Sequence, residues 1–333
     1  MDSKYTQGDT KEQLKSINST NKLRELKSDF FIKILLNILS RKTLLELVKC
    51  NKYMQKMIDI NLNDYKIYHE TYSSIELEII PNKKFNHKFI NIADGDKKYY
   101  HIYFNNNKKE EIKRYELNKD ENVSKINVII DNPVKSFSKL FEYCTNISIK
   151  FSKFYRINIT DMNNMFYSCC FLEELNLTNF ITNNVTDMSY MFCGCSKLTE
   201  LNITNFKTDN VTNMKCMFSG CRALKKLNLI NFNTTNVSCM QSMFCGCKSL
   251  IELNIANFNT NKVTSMEFMF IHCSSLKELN LTNFNTNNVT NMNYMFSGCN
   301  DELKLKIKNQ NANFKNEAFL DYVSNLGINF NIM

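Results

Sequence analysis

The chain has 333 residues, among them 13 Cys, 16 Met and 25 Phe, but only 7 Gly, 2 Pro and no Trp. So few Gly and Pro exclude collagen-like and Pro/Gly-rich low-complexity sequence, while 43% hydrophobic and 23% charged residues exclude a disordered chain. The formal net charge of +9 falls entirely in residues 1–158, because residues 159–299 hold 9 basic and 9 acidic side chains and residues 300–333 hold 4 of each.

Residues 1–25 are polar and are predicted to form a disordered tail. No apolar segment with a small-residue cleavage site follows them, as a secretory signal would require. The most apolar stretch, residues 30–39, contains Lys33 and Asn37 and is too short to span a bilayer. We therefore expect an intracellular, cytoplasmic protein with reduced thiols and no membrane span.

Residues 26–67 are predicted to be helical, because apolar side chains recur at helical spacing: Ile34, Leu35, Ile38, Leu39, Leu44, Leu45 and Val48. Residues 26–39 resemble the opening of an F-box, with Lys27 where Pro is usual, and residues 44–53 resemble its close, with Tyr53 in place of Trp. The resemblance implies that these helices grip a Skp1-like partner. An amphipathic helical hairpin would give a similar string and is the alternative.

Residues 68–133 are predicted to be rich in strands, over residues 75–80, 99–104, 112–117 and 126–130. We expect them to form a β cap on the N-terminal end of the region that follows.

Residues 134–308 are organised by a repeat of 26 residues. Several registers hold the same residue type at this step; for example, Met165, Met191, Met217, Met243, Met269 and Met295. In one unit, Met188, Met191, Phe192, Cys195 and Leu198 have the spacing of a short helix.

The flanks of each unit complete this interpretation. Thr186 is predicted to cap the helix at its start, and Gly194 is predicted to end it. The alternation Leu201-Asn202-Ile203 then indicates a short strand, half buried. Such a unit buries its apolar side chains only against neighbouring units, so stacking is expected.

The repeat length and its L-x-x-L-x-L core are typical of leucine-rich repeats. The consensus motif resembles that of the BspA-like repeats, which are also known from mycoplasma lipoproteins; it reads V-T-x-M-x-x-M-F-x-x-C-x-x-L-x-x-L-N-[LI]-x-N-F. In this variant Phe180 and its equivalents stand where the ladder Asn is usual, and Asn179 precedes it. The resemblance implies an α/β solenoid of about seven units and an association with surface and adhesion proteins.

The C-terminal end is predicted to return to a strand at Leu303, Leu305 and Ile307. Residues 309–333 are expected to be a helical cap, with a helix over residues 314–326 that ends at Gly327. A solenoid needs atypical terminal units of this kind to cover its open ends.

The cysteines and histidines do not indicate a metal or catalytic site. Most Cys fall in one repeat register, where a free thiol behaves as a small buried hydrophobe. The pairs Cys193/Cys195 and Cys245/Cys247 lie two units apart, about 10 Å at one strand spacing per unit, too far to share one zinc ion. No nucleophile elbow, phosphate-binding loop or zincin motif occurs. We therefore predict no enzyme, no metal and no cofactor.

What remains is a surface for protein partners. One candidate is the outward stripe on the strands: Glu174, Glu200, Lys226, Glu252 and Glu278. The other is an aromatic position in the helical segment: Tyr190, Phe268 and Tyr294. A second outward stripe, from Asn176 to Asn280, is expected to form a structural ladder of amides. The mixed charges of residues 107–111 argue against nucleic-acid binding.

The favoured function is a monomeric, non-enzymatic interaction scaffold, in particular an intracellular F-box-type ubiquitin-ligase adaptor. The alternatives are an adhesion protein at the cell surface and a thiol- or metal-dependent enzyme.

Overall fold

The computed structural model describes residues 72–81, 88–118, 121–145, 147–310 and 313–322. The chain divides into two compact units, Met1–His69 and Glu70–Met333, and every described residue belongs to the second. The predicted polar tail and the F-box-like helices, with Ile34 to Val48, therefore lie outside the described residues, as do residues 323–333.

A mixed sheet of five strands opens the second unit. Its strands are β1 (Ile75–Pro81), β2 (Tyr100–Phe104), β3 (Ile126–Ile130), β4 (Ile147–Lys153) and β5 (Leu175–Asn176). They lie in the order β2-β3-β1-β4-β5, antiparallel except for the parallel pair β4 and β5. Alternating apolar residues bury one face of each strand, as with Ile75, Leu77 and Ile79 of β1.

Three of these strands lie where the alternation of the sequence predicts them. Residues 112–117 differ, because they contribute only isolated bridges, from Ile112 to Ile102 and from Glu116 to Lys88. The segment before β2 forms a short 3-10 helix, Asp94–Tyr99.

Beyond β5 the repeats pair side by side in parallel. Asn176 bridges Asn202, and β6 (Lys226–Asn228) pairs with β7 (Glu252–Asn254), residue for residue at a step of 26. We call these parallel segments, from β4 to β7 with residues 201–202 and 279–280 in the same register, the strand row. The inward residue of each segment, Ile149 in β4 and Leu in the others, is buried and its two neighbours are exposed.

The predicted short helix of each unit is replaced by a run of overlapping turns. Within residues 188–195, Met191 donates its N–H to the carbonyl of Met188 three residues back, whereas Phe192 donates to Met217 in the next unit at 2.9 Å. Successive N–H groups along the segment donate alternately within their own unit and to the next unit, so the hydrogen-bond pattern of an α-helix cannot form. We call the stacked segments around residues 161–169, 187–195, 213–221, 239–247, 265–273 and 291–299 the turn row.

Backbone dihedrals explain how these turns are built. Tyr190 and Gly194 have positive φ, 57° and 78°, and the equivalent residues of the other units do too. Such left-handed residues break the α-helix. The helix prediction fails because the spacing of Met188, Met191, Phe192 and Cys195 directs these side chains inward in an α-helix and in a run of overlapping turns alike.

Thr186, which is predicted to cap the helix, has a different role in the structure. The Thr186 hydroxyl donates to the carbonyl of Thr160 in the preceding unit at 3.2 Å, rather than accepting an N–H of its own segment. Asp187 Oδ1 accepts the N–H of Ser189 at 2.7 Å and so starts the turn.

The core consists of columns of identical side chains that run through the units. The rings of the main Phe column are nearly parallel, with centroids 5.4–5.7 Å apart between successive units from Phe166 to Phe296. The Met, Cys and Leu columns beside it are buried. Each fully buried Leu, Met or Phe stabilises the fold by roughly 1.5–3 kcal/mol.

The C-terminal end differs from its prediction. Residues Asp301–Gln310 form an α-helix, α1, in place of the expected strand. Leu303 and Ile307 are buried on one face of α1, whereas Leu305 is 59% exposed. The spacing of Leu303, Leu305 and Ile307 fits a strand with period two and also a helix in which residues four apart share a face. The helix is favoured by the Asn300 side chain, which accepts the N–H of Glu302 at 2.8 Å at its start.

The predicted helix at residues 314–326 is also absent over its described part. Asn316–Phe319 form a short 3-10 helix, and residues 323–326 lie outside the described residues. Tyr294 and Phe296 donate their N–H groups to the carbonyls of Glu317 and Ala318, so this segment covers the last unit of the turn row.

Candidate interaction surfaces

The charged stripe predicted from the sequence lies on the outer face of the strand row. All five side chains are exposed: Glu174, Glu200, Lys226, Glu252 and Glu278. Lys226 Nζ lies 2.7 Å from Glu252 Oε1, and both side chains are more than half exposed, 70% and 62%. This is the one ion pair that the stripe forms within the described residues.

A shallow groove of about 590 Å³ runs over the C-terminal half of the stripe. Lys226, Glu252, Lys277 and Glu278 line it, and so does Ile251, which has 43% of its surface exposed. An exposed aliphatic side chain between charges of both signs is a combination that suits a protein partner.

The outward Asn stripe does not form the amide ladder that the sequence suggests. The Oδ1 atoms of Asn176 and Asn202 instead accept hydrogen bonds from Thr178 and Thr204, two residues later in the same unit. The Asn that precedes each Phe forms the ladder: Asn205, Asn231, Asn257 and Asn283 donate from Nδ2 to carbonyls of the preceding unit at 2.7–3.2 Å.

The predicted aromatic residues lie on the turn row and are half buried. Tyr190 packs edge-on against Tyr167, with Lys215 over its ring at 6.0 Å. Phe268 and Tyr294 stack at 5.6 Å, and Tyr322 closes both from the side. Phe268, Tyr294 and Tyr322 therefore help to cover the C-terminal end of the turn row. The pair of Tyr190 and Tyr167 continues instead to Tyr143, which is 62% exposed.

The repeated cysteines form a second internal column. Each donates its S–H to a carbonyl of the preceding unit at 3.0–3.2 Å; the donors are Cys169, Cys195, Cys221, Cys247, Cys273 and Cys299. Burial raises the pKa of these thiols, for Cys299 to about 12. All twelve described cysteines are free, and no cluster of three or more His, Cys, Asp or Glu in the described part of the chain could hold a metal ion.

Two buried polar positions were missed by the sequence reasoning. The first is a Thr column, in which the Thr234 hydroxyl donates to the Asn259 carbonyl and accepts the Asn259 N–H. The second is Arg156, which is fully buried in the same register, 26 residues before Thr182. The step of 26 could have found it, because a charged residue stands where five later units have Thr.

No helix over the described ranges is both long and apolar enough to cross a membrane. No curated protein and no solved structure matches the chain. One family does: its profile matches residues 135–249 and again residues 224–321. These overlapping matches span both rows of the stacked units and cover more than half of the chain. The chain therefore belongs to the family described as "Mycoplasma protein of unknown function, DUF285".

Proposed function

We propose that this protein is a non-enzymatic scaffold for protein–protein interaction. In this proposal the stacked units form a solenoid of leucine-rich-repeat type, and the strand row presents a rigid face to a partner. The observation that carries the proposal is the groove beside Ile251, where an exposed aliphatic side chain lies between Lys226, Glu252 and Glu278.

Rigidity supports this role. Successive units are held together by the Asn ladder, the Thr column and the Phe column, so the outer face changes little when a partner binds. A preorganised face loses less conformational entropy on association than a flexible one does.

Charge supports it as well. The exposed side chains Glu173, Glu174 and Glu200 make the N-terminal part of the stripe acidic, whereas Lys225 and Lys226 follow as a basic pair. Because surface charges set the orientation and rate of encounter more than the affinity, this order of charges favours one orientation of the partner along the row.

The test is capture of partners from a lysate by the full-length chain, identified by mass spectrometry. Ile251→Asp and the charge reversals Lys226→Glu and Glu278→Lys should reduce capture of a specific partner by tenfold or more. Leu305→Asp, at an exposed apolar residue of α1 outside the groove, is the matched control and should retain capture. Equal capture by every variant would refute the strand row as the binding face.

The adaptor version of the proposal rests on residues 26–67. It requires a Skp1-like protein to bind through Leu35, Leu39 and Leu44. Alanine variants at these positions in the full chain should lose that partner and retain the partner of the strand row. Failure of the unmodified chain to bind a Skp1-like protein would eliminate the adaptor role while leaving the scaffold proposal open to its own test.

A role in adhesion is the second candidate, because the resemblance to BspA-like repeats implies an association with surface and adhesion proteins. Protease treatment of intact cells distinguishes the two. Cleavage of this chain before lysis supports a surface role, and full protection supports an internal one.

A further inference from the structure

Ile251 belongs to a line of three exposed residues that crosses the strand row. The same register holds Lys225 in the preceding unit and Lys277 in the next, at steps of 26 residues, and all three residues are exposed. Ile251 donates its N–H to the carbonyl of Lys225 at 2.8 Å, and Ile251 and Lys277 line the same groove. This line therefore presents an aliphatic side chain between two cations.

Neither lysine of the line has a salt-bridge partner in the described part of the chain. The neighbouring column differs, because Lys226 lies 2.7 Å from Glu252 and the two charges offset each other. Lys225 and Lys277 thus remain as cations on either side of Ile251. Charges of this kind on an outer face are available to pair with a partner and to set its orientation.

The other acidic residue of the groove, Glu278, has a cation of its own chain nearby. Glu278 and Lys306 of α1 line a second groove, of about 620 Å³. Glu302, also in α1, acts electrostatically on Lys277 but pairs with Lys306 at 2.8 Å. The helix α1 therefore leaves Lys277 for a carboxylate from outside the chain.

The spacing of the line matches an α-helix laid across the units. Adjacent parallel segments lie about 4.8 Å apart, so Lys225 and Lys277 are about 10 Å apart with Ile251 midway between them. Residues i, i+3 or i+4, and i+7 of a helix share one face, and they span about 10.5 Å at a rise of about 1.5 Å per residue. An extended chain does not match, because its side chains share a face only at every second residue, about 6.6 Å apart.

We propose that this line is the docking site for an amphipathic helix of a partner protein, with acidic residues seven positions apart and an aliphatic residue between them. The carboxylates pair with Lys225 and Lys277, and the aliphatic side chain packs on Ile251. The inference rests on the proposed scaffold function and names the kind of partner that the groove takes. Nucleic acid fits the groove less well, because Glu252 and Glu278 line it and none of its lining residues is an aromatic on which a base could stack.

The test is selection of peptides on the full chain from a random display library, with peptides of about 16 residues, long enough to form a helix. We expect the enriched sequences to have Asp or Glu at positions i and i+7, and Leu, Ile or Val at i+3 or i+4. Fluorescence anisotropy then measures their affinity. Lys225→Glu/Lys277→Glu should weaken binding by tenfold or more, and so should Ile251→Asp. Replacement of the two acidic residues of a peptide by Lys should restore its binding to the double variant, which also shows that this variant is folded.

The matched control is Lys207→Glu/Lys262→Glu, which makes the same change in charge at two exposed lysines outside the groove and should retain binding. The proposal is overturned if no peptide is enriched, if the enriched peptides lack this pattern, or if both double variants bind them equally. Tighter binding of a single-stranded oligonucleotide than of any enriched peptide overturns it as well. Capture from a lysate decides the scaffold function separately: a partner that is lost with Ile251→Asp but presents no such helix refutes the helix and leaves the scaffold standing.

Discussion

The Nδ1 atom of His272 lies 2.5 Å from the point where a Cβ on Gly298 would stand. Both residues belong to one column of the turn row, one unit apart, and both have positive φ, 59° and 68°. Gly246 is in the same column with φ of 70°, yet the atoms nearest to its Cβ position are 3.9 Å away in Gly220. Neighbouring side chains therefore distinguish two glycines that share a backbone conformation.

This difference gives a matched pair of substitutions. Gly246→Ala should lower the free energy of unfolding by about 1–2 kcal/mol, the cost of a left-handed residue with a Cβ. Gly298→Ala should lower it further, because the new methyl overlaps the His272 ring. Urea unfolding measures both values, and His272→Gly in the Gly298→Ala background should recover the excess. Equal losses in the two single variants would contradict this account.

The Thr column predicts a second contrast. Thr234→Val removes the hydroxyl that serves both the carbonyl and the N–H of Asn259, at 2.9 and 2.7 Å. It leaves both backbone groups unpaired inside the fold, so we expect a loss of about 2–3 kcal/mol in the free energy of unfolding.

Thr264→Val is the control for that contrast. The Thr264 residue is exposed, and its hydroxyl donates to Ser238 at 3.3 Å, where water can replace it. Its loss should stay within about 0.5 kcal/mol. Urea denaturation of both variants measures the difference, and a cost for Thr264→Val as large as that for Thr234→Val would argue against the column as a stabilising element.

The buried thiols predict an alkaline limit to stability. Burial raises the pKa of Cys216 to about 11 and of Cys193 and Cys299 to about 12, from a usual value of 9.0. A raised pKa in the folded state means that the unfolded chain loses its thiol protons first as the pH rises. Stability is therefore retained below about pH 9 and falls between about pH 9 and 12, by about 1.4 kcal/mol per pH unit for each such thiol.

Urea unfolding at pH 8, 9 and 10 measures this slope. Cys193→Ala should reduce the slope by the contribution of one thiol, although it also lowers stability at every pH. Thr264→Val, which removes no ionisable group, is the control and should leave the slope as it is. A free energy of unfolding that does not change from pH 8 to pH 10 would refute the prediction.

The ion pair of the stripe should contribute little to folding. Lys226 and Glu252 are 2.7 Å apart but more than half exposed, so solvent screens their attraction. A double-mutant cycle with Lys226→Ala and Glu252→Ala should give a coupling energy of about 0–0.5 kcal/mol. A coupling above about 1 kcal/mol would assign the pair a structural role and weaken the case for it as a binding surface.

The sequence predicts the inward positions of the repeat well. Met191, Phe192 and Cys195 are all fully buried, as their common step of 26 residues and their spacing indicate. The turn row is not predictable from the same residues, since inward side chains at intervals of three and four fit either a helix or overlapping turns. The positive φ of Tyr190 produces turns in place of a helix. An aromatic residue gives no signal in the sequence for this left-handed conformation.

The candidate surfaces were predictable to a similar degree. The alternation of the strands places Glu174 and its equivalents outside, and the structure has them exposed. Ile251, in contrast, was not singled out, because the same register holds Glu173, Thr199, Lys225 and Lys277 in other units and so varies freely in chemistry. The position of α1 was missed as well, since Leu303, Leu305 and Ile307 fit two periods.

The alternation of donors in the turn row constrains how such a chain can change length. Each second N–H of a unit bonds to the next unit, and positive φ recurs at fixed positions of every segment, as at Tyr190 and Gly194. An insertion of one residue in this segment would direct the wrong N–H groups toward the next unit and place the left-handed conformation on the wrong residues. Loss or gain of a whole 26-residue block preserves every bond, so the array is expected to vary among related chains by complete units.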